Sequence, residues 1–196
     1  MENFIAPDNY QAGEFVLRSY RPEDGPLINQ AINSSYEHLR TFMPWAKPDT
    51  PLEESVDFCR KACARYLLNQ DFTLAVVSPD GKSLLGGTGF HLRNRSLSDK
   101  SGEIGMWIRA DQAGSGLGTR VLKAMLEWGF TEWPWERLFW RCDTRNIASA
   151  RVAEKAGMLK EGCLRGELID HNTGVRRDTY YFGMLKSDWE TAHRKS

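Results

Sequence analysis

The sequence predicts an α/β domain, and three observations carry that prediction. Segments whose apolar residues alternate singly, as in half-buried strands, interleave with segments whose apolar residues recur every three or four positions, as in amphipathic helices. One glycine-rich turn, with Gly114, Gly116 and Gly118 at every second position, joins a strand directly to a helix. Two clusters of turn formers, Ser78-Pro79-Asp80-Gly81 and His171-Asn172-Thr173-Gly174, each separate a pair of strand-like runs.

Residues 1–13 lack periodicity and are expected to form an irregular lead-in. Residues 14–20 alternate, with Phe15, Leu17 and Ser19 on one face, as a first strand would. Asp24 suits a helix cap, and Leu27, Ile28, Ala31, Ile32 and Ser35 form the apolar stripe of a first helix. The stretch 39–48, L-R-T-F-M-P-W-A-K-P, reads as an ordered loop that packs rather than a linker. Thr50, Pro51 and Glu53 resemble a capping box with proline at the first helical position. The helix they open runs through Leu52, Val56, Cys59, Cys63, Tyr66 and Leu67 to about Asn69. Segments 72–77 and 84–92 read as a hairpin, with Gly86, Gly87 and Gly89 signalling a bulge or a close backbone approach.

A polar connection, 93–102, leads into the strand that holds Ile104, Met106 and Ile108. The helix beyond the glycines carries Leu117, Val121, Leu122, Met125 and Leu126 and stops after Phe130 at T-E-W-P-W-E. A short strand at 138–142 precedes a helix at 146–156 that ends at the C′ glycine Gly157. Segments 163–170 and 175–185 close the chain as two strands. The order is βααββ, β-loop-α, βα, ββ. No linker and no fixed-period repeat divides 1–196, so one domain is expected.

Lys plus Arg equals Asp plus Glu at 26 each, so no net field draws the chain to nucleic acid or to a membrane surface. The N-terminus lacks a basic region followed by an apolar stretch, and no apolar run approaches the roughly 20 residues that span a bilayer. A cytoplasmic protein is expected. Cys59, Cys63, Cys142 and Cys163 form no C-x-x-C and read as reduced, packed thiols. His38, His91, His171 and His193 fit no nucleophile or metal pattern, and no metal site is expected. Trp45, Trp133, Trp135 and Trp140 suit core packing, with a dimer face or an acceptor wall as the sharper alternative.

The glycine turn carries the chemistry. Glycines permit positive φ and let a ligand approach backbone N–H groups without Cβ atoms in the way, and the helix that follows offers unpaired N-terminal donors and a positive dipole end. A phosphate or pyrophosphate is the guest this favours. The spacing is G-x-G-x-G, with Thr119 where a dinucleotide fingerprint has its last glycine and no lysine before a hydroxyl, so neither that fingerprint nor a P-loop fits. A tight turn that binds nothing is the structural alternative.

Taken together, G-M-W-I-R-A-D-Q-A-G-S-G-L-G-T, N-I-A-S-A-R-V-A-E-K-A-G-M, E-G-C-L-R-G-E and R-R-D-T-Y-Y-F-G-M-L resemble the GNAT acetyltransferases over nearly the whole chain. The likeness is to the RimJ/RimL-like branch, whose named members acetylate N-termini of ribosomal proteins. It implies a mixed, strongly bent sheet of about six or seven strands with helices on both faces. Two central parallel strands would splay apart, with acetyl-CoA in the gap. Trp107 and Ile108 would offer backbone groups to the pantetheine arm, and Asn146 would bond the same arm. Ala113, Gly114, Ser115, Gly116, Leu117, Gly118 and Thr119 would hold the pyrophosphate. One departure is that Ala113 stands where the family usually has Gln or Arg, with Gln112 one position early. A second is that Ala153 stands where many members have the tyrosine that protonates the thiolate.

The resemblance implies Ser149 as that acid instead. For the base it implies a carboxylate, Glu167 ahead of Glu103, and it places Asp178 and Tyr181 on the closing strand near the acceptor cleft. The expected activity is transfer of acetyl from acetyl-CoA to a primary amine, foremost a protein N-terminus. A small-molecule or aminoacyl acceptor is the same-class alternative, and an acyl-CoA-binding sensor without catalysis is the different-class one. A homodimer is one assembly open to the chain, and no nucleic-acid or membrane partner is expected.

Overall fold

Alternation places Leu74 and Val76 on one face of a strand and Ala75 and Val77 on the other, and both faces are buried in the computed structural model, which describes residues 4–170 and 173–194. The sheet is therefore covered on both sides. Strands β1 (Asn9–Gln11) and β2 (Val16–Ser19) open the chain, followed by helices α1 (Gly25–Ser34), α2 (Tyr36–Leu39) and α3 (Leu52–Leu67). The hairpin β3 (Phe72–Val77) and β4 (Leu84–His91) leads to β5 (Ser101–Ile108) and α4 (Leu117–Thr131). Next come β6 (Arg137–Asp143), α5 (Ile147–Lys155), β7 (Leu159–Ile169), β8 (Arg176–Leu185) and α6 (Lys186–His193).

All eight strands lie in one sheet, ordered β1-β2-β3-β4-β5-β6-β8-β7. Every pairing is antiparallel except β5 with β6, which is parallel. Helices α1 and α3 cover one face, packing Ile28, Ala31, Cys59 and Ala62 on Val16, Ala75, Val77 and Leu84. Helices α4 and α5 cover the other, with Val121, Leu122, Met125, Ala150 and Ala153 over Leu74, Phe90, Ile104, Leu138 and Trp140. Each fully buried Leu or Phe in these layers contributes about 1.5–3 kcal/mol relative to exposure.

Several expectations need correction. The sheet has eight strands, not six or seven, because the lead-in is not wholly irregular: Asn9–Gln11 pairs antiparallel with β2. The segment is pinned to α3 and the turn after it, where Tyr66 Oη donates to Pro7 O at 2.5 Å and Asn69 Nδ2 to Phe4 O at 2.8 Å. No capping box forms at Thr50. Its hydroxyl donates to Lys47 O and its carbonyl accepts from Asn29 and Asn33, so Pro51 occupies the cap of α3. Asp24 sits at the cap of α1, but its carboxylate is engaged by Arg18.

Helix α6 was not anticipated. It rests Trp189 against Phe130 with ring centroids 6.0 Å apart. Trp133, Trp135 and Trp140 are buried in the core, whereas Trp45 is 47% exposed and meets Trp107 edge-on in the cleft. The tryptophan cluster from 128 to 140 is thus core and not a dimer face. Of the expected turn at 171–174, His171 and Asn172 lie outside the described residues.

Candidate active site

Strands β5 and β6 stay paired only from Ser101 with Arg137 to Glu103 with Phe139, after which they diverge. From Ile104 onward β5 bonds β4 alone, so its other edge, including Trp107 and Ile108, faces an open wedge. The glycine turn stands at the end of this edge. Gly114 and Gly116 hold φ of +78° and +83°, and Gly116 caps α4. Ala113, Gly114, Ser115 and Gly116 are exposed. A methyl group at Gly118 would touch Val152, Ile108 and Met106 at 3.5–3.9 Å, so the loop sits at the junction of β5, α4 and α5.

Not every amide of the loop is free. Ala113 N–H donates to Ala110 O, Thr119 N–H to Gly116 O, and Leu117 N–H to Ser115 Oγ at 3.3 Å. Arg120, one turn into α4, brings a guanidinium to Ser115 O at 3.0 Å and also pairs with Glu14. No motif in the sequence marks this cation beside the anion-favouring turn.

On the other bank of the wedge, Asn146 caps α5 by accepting Ser149 N–H at 3.1 Å on its carboxamide oxygen, which leaves the nitrogen to donate elsewhere. Ser149 Oγ accepts from Trp140 Nε1 at 3.1 Å. Cys142 adjoins it: burial pushes that thiol up, and the Ser149 contact draws it part of the way back. Ala153 is fully buried, so the helix presents no phenol at that position.

A cleft of about 880 Å³ runs from this wedge to the α1–α3 side, lined by Ser149, Asn146, Trp140, Met106, Glu103 and Arg141. The loop after α2 adds Phe42, Met43 and Trp45, α3 adds Glu54 and Phe58, and the last hairpin adds Leu168, Asp170, Arg177 and Thr179. His91, Asp71 and Thr73 complete the wall near Glu103.

The two carboxylates expected as bases are both engaged. Glu103 is buried, taking Arg93 Nε at 3.0 Å and Arg141 Nε at 2.9 Å on one oxygen and Arg93 Nη2 at 3.2 Å on the other. Glu167 accepts Tyr181 Oη at 2.5 Å and Arg141 Nη1 at 3.5 Å on Oε1, while Oε2 is buried without a partner. Glu167 does not line the cleft. Burial, helped by Glu167, raises the Tyr181 phenol. Asp178 is turned to the Gly166 amide at 2.8 Å and also lies off the cleft wall. Deeper in, Asp143 and Asp170 are buried and both pair with Arg145 and Arg177. Arg141 and Arg177, which tie β6 to the last hairpin, carried no signal in the sequence, since only the β6–β8 register brings their partners together.

Among the described residues no cluster of three or more His, Cys, Asp or Glu side chains could hold a metal ion. No helix among them is long and apolar enough to cross a membrane.

A wedge between parallel strands, with an exposed glycine turn at a helix N-terminus on one bank and a serine on the other, defines an α/β acyltransferase. Residues 14–159 match the family model described as Acetyltransferase (GNAT) domain, and the chain belongs to the GNAT acetyltransferase family. It is 31% identical over 175 residues to YdaF of Bacillus subtilis (strain 168), provisionally named a ribosomal N-acetyltransferase, covering 89% of this chain and 93% of that one. In fold it is similar to RimL, the ribosomal L7/L12 α-N-protein acetyltransferase solved with coenzyme A (TM-score 0.81, 17% identity, 92% of this chain and 99% of that one). It is similar also to the Microcin C7 self-immunity acetyltransferase MccE solved with acetyl-CoA and AMP (TM-score 0.80, 20% identity, 92% and 98%).

Proposed function

We propose that this enzyme transfers acetyl from acetyl-CoA to a primary amine, with a protein N-terminus as the acceptor class, and that one domain carries both sites. The observation that carries the reading is the unpaired edge of β5 beyond Glu103, with exposed glycines of positive φ at one end and Ser149 across the gap. These residues fit an extended thioester arm with a pyrophosphate tail. Trp107 and Ile108 offer backbone groups to the arm, Asn146 its carboxamide nitrogen, and the amides around Gly114, Ser115, Gly116 and Gly118 the anion contact, with Arg120 adding the cationic side chain that Ala113 lacks.

Ser149 is the proposed acid. The Trp140 indole N–H occupies one lone pair of its Oγ, which leaves the hydroxyl proton free to be given to a departing thiolate. Glu103 and Glu167 hold Arg141 between them, and Arg93 pairs with Glu103 as well, so this cluster is charge-balanced. The protein-acceptor reading is supported by the name of YdaF and by the substrate of RimL, and by a cleft broad enough to admit a chain end. A small amine is the second reading, supported by the charged lining that Asp143, Asp170 and Arg177 give the cleft.

The four cysteines are unpaired thiols, in keeping with a cytoplasmic site of action. Strand β7, an edge strand with Leu159 and Leu164 exposed, supports a homodimer. The test is thiol release from acetyl-CoA against short peptides with free N-termini and a panel of small amines. Acetylation of peptides is the expected result, and turnover confined to small amines would favour the second reading.

A further inference from the structure

His91 has the arrangement of a proton acceptor, and nothing in the acetyl-transfer reading uses it. It ends β4 opposite Glu103 of β5 and faces the same cleft as Asp71 and Thr73. Its Nδ1 lies 2.9 Å from Asp71 Oδ2 and 3.1 Å from Oδ1. A carboxylate can only accept, so Nδ1 carries the ring proton and Nε2 keeps its lone pair whenever the ring is neutral. Asp71 is itself held by the Thr73 hydroxyl at 2.9 Å. Burial pushes the Asp71 carboxyl up, but the His91 bond, the Thr73 bond and the charge of Arg93 outweigh it and keep the group below the ordinary carboxylate range.

Nε2 has no hydrogen-bond partner among the described residues. It lies over Gly105, where a Cβ would come within 2.9 Å of it, and a Cβ at Gly89 would come within 3.1 Å of the ring Cε1. Gly105 is two residues past the last β5–β6 pair, so the open nitrogen sits where the wedge begins. The carboxylates nearby are less available: Glu103 has both oxygens on guanidinium groups, and Glu167 is off the cleft wall.

We propose that His91, oriented by Asp71, is the catalytic base that takes the proton of the acceptor ammonium. The proposal rests on the acetyltransferase reading above. One N–H proton of the ammonium passes to Nε2, and Asp71 balances the imidazolium. The neutral nitrogen forms its bond to the thioester carbonyl carbon, and the C–S bond breaks. Sulfur takes the Ser149 hydroxyl proton, the surplus proton on the new amide nitrogen restores the serine, and His91 returns its proton to water. The charged side chains that line the cleft with the ring include Asp71 beside β3, Arg93 after β4, Glu103 on β5, Arg65 on α3 and Arg141 across the wedge. Arg93 and Arg141 are paired to Glu103, which leaves Asp71 as the carboxylate bonded to the ring.

The test is the pH dependence of kcat/KM for wild type, His91→Gln and Asp71→Asn, with acetyl-CoA and short peptides beginning with Ser or Ala. Wild type should rise through an imidazole ionisation. His91→Gln should fall roughly 10²- to 10⁴-fold and lose that limb, with acetyl-CoA affinity by calorimetry kept within about twofold. Asp71→Asn should fall less and move the limb to lower pH, because the imidazolium loses its anionic partner. A His91→Gln enzyme that keeps the limb, whatever its height, overturns the proposal. If wild type acetylates no peptide, the acceptor reading fails instead, and ¹⁵N NMR of the imidazole then decides. An Nδ1–H tautomer whose pKa drops in Asp71→Asn supports the base, and an Nε2–H tautomer overturns it.

Discussion

The indole N–H of Trp140 donates to Ser149 Oγ at 3.1 Å, linking a core residue of β6 to the first turn of α5 at the wedge. The indole occupies one of the two lone pairs of the serine oxygen and leaves the hydroxyl proton to be donated elsewhere. Ser149→Ala should lower kcat by roughly 10- to 10⁴-fold with acetyl-CoA affinity nearly intact. Trp140→Phe keeps the ring and removes the donor, so it should lower kcat less and leave KM for acetyl-CoA close to wild type. Steady-state kinetics on the two variants checks both. Turnover within about twofold of wild type in Ser149→Ala would assign the proton to water or another hydroxyl.

Gly116 holds φ +83° at the cap of α4, and a Cβ there would meet Arg120 Nη1 at 3.0 Å. Gly116→Val should therefore distort the turn, displace Arg120 and place a branched side chain where the pyrophosphate approaches. Calorimetry should show acetyl-CoA affinity falling by more than about tenfold, a loss of at least about 1.4 kcal/mol. Thermal unfolding of the free protein would separate this from a general loss of structure.

Arg18 and Asp24 form a bidentate pair at 2.7 and 2.8 Å that ties β2 to the cap of α1, with the Arg21 amide as a third donor to the carboxylate at 2.8 Å. Burial raises the Asp24 carboxyl, but Arg18 and the Arg21 amide outweigh it and hold the group below its ordinary 3.8. A carboxyl whose folded pKa is depressed contributes stability that is complete above the unfolded value and is lost as pH falls through the folded one. Asp24→Asn should cost about 3–5 kcal/mol at pH 7, and the gap to wild type should shrink as the pH drops below about 4. Denaturant unfolding of both proteins across that range reads the effect.

The helices and strands that the sequence disclosed were those with strong local signals: the hairpin around Pro79 and Asp80, the glycine turn at 114–118 and the helix stop at Gly157. What it concealed depended on partners far along the chain. Strand β1 owes its pairing to β2 and its anchorage to Tyr66 and Asn69, neither of which a three-residue segment can announce. Helix α6 is polar and short, and its docking depends on Trp189 reaching Phe130. At the site, the glycine turn could be read from its spacing, whereas Ser149 stands out only through the likeness to RimL-like members. His91 could be read from neither, because its meeting with Asp71 and with the bare backbone of Gly105 depends on the β3–β4–β5 register. Glu103 and Glu167 looked alike as strand carboxylates, and only Arg93, Arg141 and Tyr181 distinguish them.

The most direct measurement of the central claim is a paired assay on the full chain, with coenzyme A thiol release followed in solution and the acceptor peptide followed by mass spectrometry. The account predicts one acetyl group on the N-terminal nitrogen for each thiol released, with both signals absent when acetyl-CoA is omitted. Tight acetyl-CoA binding with no thiol release above the blank, against peptides and small amines alike, would contradict it and make the wedge a sensor of acyl-CoA instead of a site of transfer.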